Sequence, residues 1–279
     1  MERSGEQTED LLRAIYRWHS DLYVAMSNRA TFGIADGSFL CDSDELSDGR
    51  ATTHLRATLI AAVDHFAASN ALVQGPPPMY ATAALIRGCI EASATVVWLL
   101  DAETMIEHLE RVALLDLKSV RERHEFIGDR DSAVHNTERE FIRAWATEAG
   151  VAPAKLMGRG QTIEQVVRFA GDRLLIESLF STWRLLSGVA HGLHWATSGV
   201  VDHHVEGQGQ NGRPNVRLSV DKALLVGWEL YAVDVLSGAL ELWKRAASTA
   251  DDTRELPAFT PPPSIMSLIT KEASVKTRP

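Results

Sequence analysis

Apolar residues recur every three or four positions along most of this chain, the period of helices that bury one face. From Thr8 to Met26 the stripe is Leu11, Ile15, Trp18, Leu22 and Met26, and Glu9 and Asp10 sit near the positive end of the helix dipole. Asn28–Arg50 is polar, carries three glycines and loses the period, which predicts a long loop. Leu55, Leu59, Val63 and Phe66 mark a helix over about Thr53–Val73, ended by Gly75-Pro76-Pro77-Pro78 because proline lacks the N–H and clashes with the preceding turn. Met79–Asp101 is apolar nearly all round and punctuated by Arg87 and Glu91, the composition of a helix at the centre of a bundle. Further helices are predicted over Glu103–Ile127, Ser132–Glu148, Thr162–Ala170, Leu174–Ser198 and Asp221–Ala247. Gly199–Val220 holds Gly207, Gly209, Gly212 and Pro214 between valine-rich flanks, and reads as a small β-hairpin or an ordered loop. The pattern therefore predicts an all-α multi-helix bundle over residues 1–248. The segment 249–279, with half of the ten prolines, reads as an extended or disordered tail.

Composition narrows the class. The chain has 279 residues, 45% hydrophobic and 23% charged, which suits a globular protein and one domain for the helical part. Two cysteines, Cys41 and Cys89, cannot build a zinc ribbon, and with a polar, acidic start they predict a reducing, cytoplasmic setting. The longest apolar stretch, around Ala92–Leu100, falls short of the roughly 18–20 residues of a membrane helix, so no membrane partner is expected. A formal net charge of −9 argues against broad electrostatic DNA binding. There is no phosphate-binding P-loop, no dinucleotide fingerprint and no G-x-S-x-G elbow, and Glu and His lack di-iron spacing. His203-His204, in a glycine-rich stretch without a third ligand nearby, reads as a solvated pair; neither a metal nor a cofactor is expected.

The candidate chemistry lies in Trp183-Arg184-Leu185-Leu186-Ser187-Gly188-Val189-Ala190-His191-Gly192-Leu193-His194-Trp195. At about 3.6 residues per turn, Arg184 and His191 share a helix face, with Ser187 and Gly188 between them and His194 following. The small residues Ser187, Gly188, Ala190 and Gly192 would let another helix approach closely. Two readings arise. In one, Arg184 holds a phosphate with its planar fork and His191 carries a proton near neutral pH. In the other, Arg184 pairs with Glu91, His191 bonds a backbone carbonyl near Gly192, and Arg87 completes a buried structural network, since charges inside an apolar helix need partners. Trp98, Trp183, Trp195, Trp228 and Trp243 read as core residues, and Cys89 as a small buried hydrophobe.

The Arg184-x6-His191 spacing on a late helix resembles the HEPN superfamily (higher eukaryotes and prokaryotes nucleotide-binding). Leu85-Ile86-Arg87-Gly88-Cys89-Ile90-Glu91, followed by Trp98-Leu99-Leu100-Asp101, extends the likeness, and Ser187-x3-His191-Gly192 is similar to a signature of bacterial HEPN-like helical proteins. The resemblance spans roughly Thr53–Ala247. It implies a metal-independent endoribonuclease of a toxin–antitoxin or phage-defence type, with a homodimer cleft lined by Arg184 and His191. Its partners would be RNA and an antitoxin or other protein. Leu185 follows the arginine where catalytic members carry Asn, Asp or His. The alternative is a non-catalytic helical module that binds a partner or itself.

Overall fold

The computed structural model describes residues 5–27, 32–74, 78–129, 132–158, 160–208, 214–252, 261 and 265. Among them the architecture is mainly all-α. The helices run α1 (Gly5–Ser27), α2 (Phe39–Ser47), α3 (Arg50–Val73), α4 (Met79–Leu100), α5 (Met105–Ile127) and α6 (Ala133–Glu148). After a 3-10 turn at Pro153–Met157 come α7 (Ile163–Leu174), α8 (Leu179–Ala190), α9 (His194–Thr197) and, beyond the strands, α10 (Lys222–Ala247). Strands β1 (Val201–Gln208) and β2 (Pro214–Val220) form an antiparallel hairpin with Val201 opposite Val220 and an irregularity at Val205/Gly207, one of the two forms expected there.

Side-chain caps fix where the helices begin. Ser38 accepts the Cys41 N–H, Thr104 the Glu107 N–H, Ser132 the His135 N–H and Asp221 the Ala223 N–H, while Thr162 and Gln165 form a reciprocal capping box. Helix α4 is the hub: α3, α7, α8 and α10 all pack on it. Ile86, Ile90, Ala94, Val97 and Leu99 of α4 are buried in one large core with Leu55, Leu59 and Phe66 of α3 and Val233, Leu236 and Trp243 of α10. A second, smaller cluster joins Leu109, Ala113 and Leu117 of α5 to Ile142 and Ala146 of α6 and to Leu156.

Several expectations change. The segment 28–50 is not all loop, because α2 forms there and buries Leu40. The single helix expected over Leu174–Ser198 is broken: α7 ends with Leu175 at φ 56°, Ser178 at φ 63° turns the chain again, and α8 closes at Ala190. Both α4 and α10 are long and apolar enough to cross a membrane by length and composition, contrary to the expectation of no such run, yet most of each is buried inside the bundle. Most of the tail lies outside the described residues. Pro261 and Ile265 are described and buried, Ile265 within the main core, so these two residues do not lie over the surface.

Candidate functional site

Arg87 and Glu91 stand one turn apart on α4, and Arg87 Nε–H donates to Glu91 Oε1 at 2.7 Å. The same Oε1 accepts the Trp183 Nε1–H from α8 at 2.8 Å. Held by this pair, Arg87 points its Nη1–H at His191 Nε2, 3.3 Å away. An arginine can only donate, so His191 Nε2 accepts and its remaining proton sits on Nδ1. Trp183, Glu91, Arg87 and His191 thus form a hydrogen-bonded chain from the core boundary to the surface. The side chains of Arg87 and Glu91 each keep 25% exposure, and His191 is exposed. The network is half-open rather than buried.

The backbone fixes the histidine. His191 caps the C-terminus of α8, the Gly192 N–H bonds Val189 O at 2.8 Å and the Leu193 N–H bonds Gly188 O at 2.9 Å. This pair of bonds closes a helix through a left-handed residue, and Gly192 at φ 65° supplies it. The chain then folds back so closely that a Cβ on Gly188 would lie 2.6 Å from Ala196 Cβ and 2.7 Å from Trp195 Cζ2. The small-residue seam expected to receive another helix is filled at this point by the protein's own α9 turn. Replacing Gly188 with alanine should therefore push α9 off α8 and destabilise by about 1–3 kcal/mol, the usual range for overpacking; urea unfolding of the variant checks it.

Arg184 does not join the chain of hydrogen bonds. Successive helical residues point about 100° apart, so when Trp183 faces α4, Arg184 faces out; it is exposed, 6.0 Å over the Phe180 ring. Glu91 takes Arg87 and Trp183 as partners, which corrects the expected Arg184–Glu91 pair. His191 meets Arg87 instead of a carbonyl. Ser187 Oγ is buried and finds no hydrogen-bond partner among the described residues, and His194 is exposed at the first position of α9.

Trp195 also departs from expectation: it is 57% exposed, whereas Trp98, Trp183, Trp228 and Trp243 are core residues. With half-exposed Leu193 and Tyr80 it makes an apolar margin beside His191, Tyr80 approaching Gly192 from two turns before Arg87 on α4. The sequence signal for this margin is a tryptophan immediately after a helix-closing Gly-Leu-His. The side chains of His203 and His204 lie outside the described residues. Among the described residues no three His, Cys, Asp or Glu side chains converge as metal ligands do.

No family model, curated protein or solved structure matches the chain.

Proposed function

We propose that the face formed by Arg87, Arg184 and His191 is a metal-independent, phosphate-directed acid–base site that cleaves single-stranded RNA, as the HEPN resemblance implies. The observation that carries this reading is the Arg87 Nη1 contact to Nε2 of an exposed histidine. Such a histidine is oriented and reachable, the two requirements of a proton-transfer group. A phosphodiester entering the face would draw the Arg87 guanidinium to its non-bridging oxygens, and exposed Arg184 offers a second fork. Arg87 then releases His191 Nε2, which accepts the proton of the RNA 2′-hydroxyl. The 2′-oxygen bonds to phosphorus, the bond from phosphorus to the 5′-oxygen breaks, and that oxygen takes a proton from water or from the His191 of a second copy. The products are a 2′,3′-cyclic phosphate and a 5′-hydroxyl. Glu91 and Trp183 act only through Arg87, as positioning residues.

A second reading rests on the exposed Tyr80, Leu193 and Trp195 beside the histidine: the face docks a protein, either a second copy or an inhibitory partner. Leu185 and the net charge of −9 fit this reading better than an RNA grip. The discriminating experiment incubates the protein with a single-stranded RNA in EDTA and examines the new ends. Cyclic phosphate ends in EDTA support the enzyme; intact RNA leaves the docking face as the better account.

A further inference from the structure

Away from α4 and α8, helices α5 and α6 face one another across polar residues. Asn136, Arg139 and Arg143 fall at positions i, i+3 and i+7 of α6, one face of that helix, and Arg121 comes from α5. These residues border a half-open cavity of about 560 Å³, which Leu156 and Met157 of the 3-10 turn also line. Two helices that pack usually turn apolar stripes toward each other; here the smaller core supplies only Leu117 and Leu156 to the wall, with Met157 at the rim.

The charges in this cleft are uneven in their pairing. Arg121, Arg139 and Arg143 each line it, and among the described residues none of them makes an ion pair. Among the described residues the buried nitrogen Nε of Arg143 meets no hydrogen-bond acceptor. Two carboxylates also border the space: Glu122 is exposed and faces Lys118 at 3.9 Å, and Glu125 is exposed. Neighbouring cations elsewhere on α5 and α6 are paired. Arg123 bonds Glu138, and His124 sits between Glu138 Oε2 at 2.7 Å and Asp129 Oδ1 at 2.6 Å, its ring stacked 4.7 Å from that of His135 on the cavity wall. In a chain of net charge −9, three arginines border one hollow and, among the described residues, form no ion pair with Glu122 or Glu125, the two carboxylates that share its wall. Like charges gathered in a cleft repel, and low-dielectric walls focus their field onto whatever anion enters.

We propose that this cleft binds an organic oligophosphate, a small molecule with two or more phosphoryl groups on an apolar or aromatic body. Guanidinium forks match phosphoryl oxygens two at a time. The Asn136 amide offers a directional donor and acceptor, and Leu117, Leu156 and Met157 form a wall against which a flat ring lies. The volume falls within the usual range of ligand sites, about 300–1,000 Å³. The proposal is independent of any activity at His191.

The test uses ATP as probe, by calorimetric titration of the full chain at low salt with EDTA present, beside tripolyphosphate and a single-stranded RNA. ATP should bind with micromolar affinity and at least tenfold tighter than tripolyphosphate, which lacks the ring, and more weakly as salt rises. Arg139→Gln and Arg121→Gln, each checked for an unchanged melting temperature, should weaken ATP at least tenfold, whereas Arg184→Gln should leave it unchanged. Arg143→Lys keeps the charge but removes the fork and should also weaken it. Absence of ATP binding at millimolar concentration would overturn the proposal. So would tripolyphosphate binding as tightly as ATP, RNA as the preferred ligand of these arginines, or binding lost in Arg184→Gln and retained in the cleft variants.

Discussion

Replacing Glu229 with glutamine should remove much of the protein's loss of stability on the alkaline side of pH 6. Glu229 lies in the middle of α10, fully buried, and among the described residues neither carboxylate oxygen meets a hydrogen-bond donor. Ser69, the polar side chain facing it, gives its own proton to Phe66 O at 2.9 Å. Burial pushes the Glu229 carboxyl up to about 8, because a charged form without partners is costly in the core. Below an ordinary carboxyl value, the folded and unfolded chains both hold the proton. Between there and about pH 8 only the unfolded chain has released it, so stability falls as pH rises and the loss is complete once the folded group ionises. At about 1.4 kcal/mol per pH unit, this one group lowers stability by about 2–3 kcal/mol between pH 6 and pH 8.5. Burial also raises Asp234, to about 6, so its loss falls mainly below that interval. The acidic partners of His124 raise it, so it contributes stability that fades as pH rises, but equally in parent and variant. Urea unfolding at the two pH values should give Glu229→Gln the smaller decline, by that 2–3 kcal/mol. Equal declines in the two proteins would mean that the carboxyl is not held uncharged in the core.

Glu229 was legible in principle, the lone acid in the apolar run Leu224–Val233 of a helix that the period already identified. What made the bundle readable was the long stripe: α1, α3, α4, α5 and α10 each run for several turns, and each repeats its apolar face often enough to stand out. The breaks were harder. Gly192 announces the end of α8, but the corner between α7 and α8 bends at Leu175 and Ser178, residues that rarely take a positive φ and carry no turn signal. Helix α2 is too short to show a period, and its polar surface hides the burial of Leu40.

At the site, spacing brought Arg87 to Glu91 and kept Arg184 and His191 near one helix face. It could not say which of two adjacent residues, Trp183 or Arg184, would turn toward α4. Packing decides that: the indole covers the core boundary while its N–H reaches Glu91, and the guanidinium stays in water. Nor could spacing reveal that α9 would fold onto Gly188. The arginines of α5 and α6 had the right spacing to be noticed. That Arg121, Arg139 and Arg143 make no ion pair among the described residues is a property of the packed helices alone.

His191→Ala should have the largest effect on activity of any single change at the site. If the imidazole accepts the 2′-hydroxyl proton, its loss removes a contribution of about 10²–10⁴-fold in rate. Because the side chain is exposed, the same change should alter stability by no more than about 0.5 kcal/mol, as for ordinary surface positions. Glu91→Gln, which loosens Arg87 without touching the histidine, should lower the rate by a smaller factor. The most direct measurement is the initial rate of single-stranded RNA cleavage in EDTA for the parent and for His191→Ala, with both melts recorded. The account predicts a parent that cuts and a variant at least a hundredfold slower with an unchanged melt. A parent that leaves the RNA intact, or a variant that cuts as fast as the parent, would contradict it.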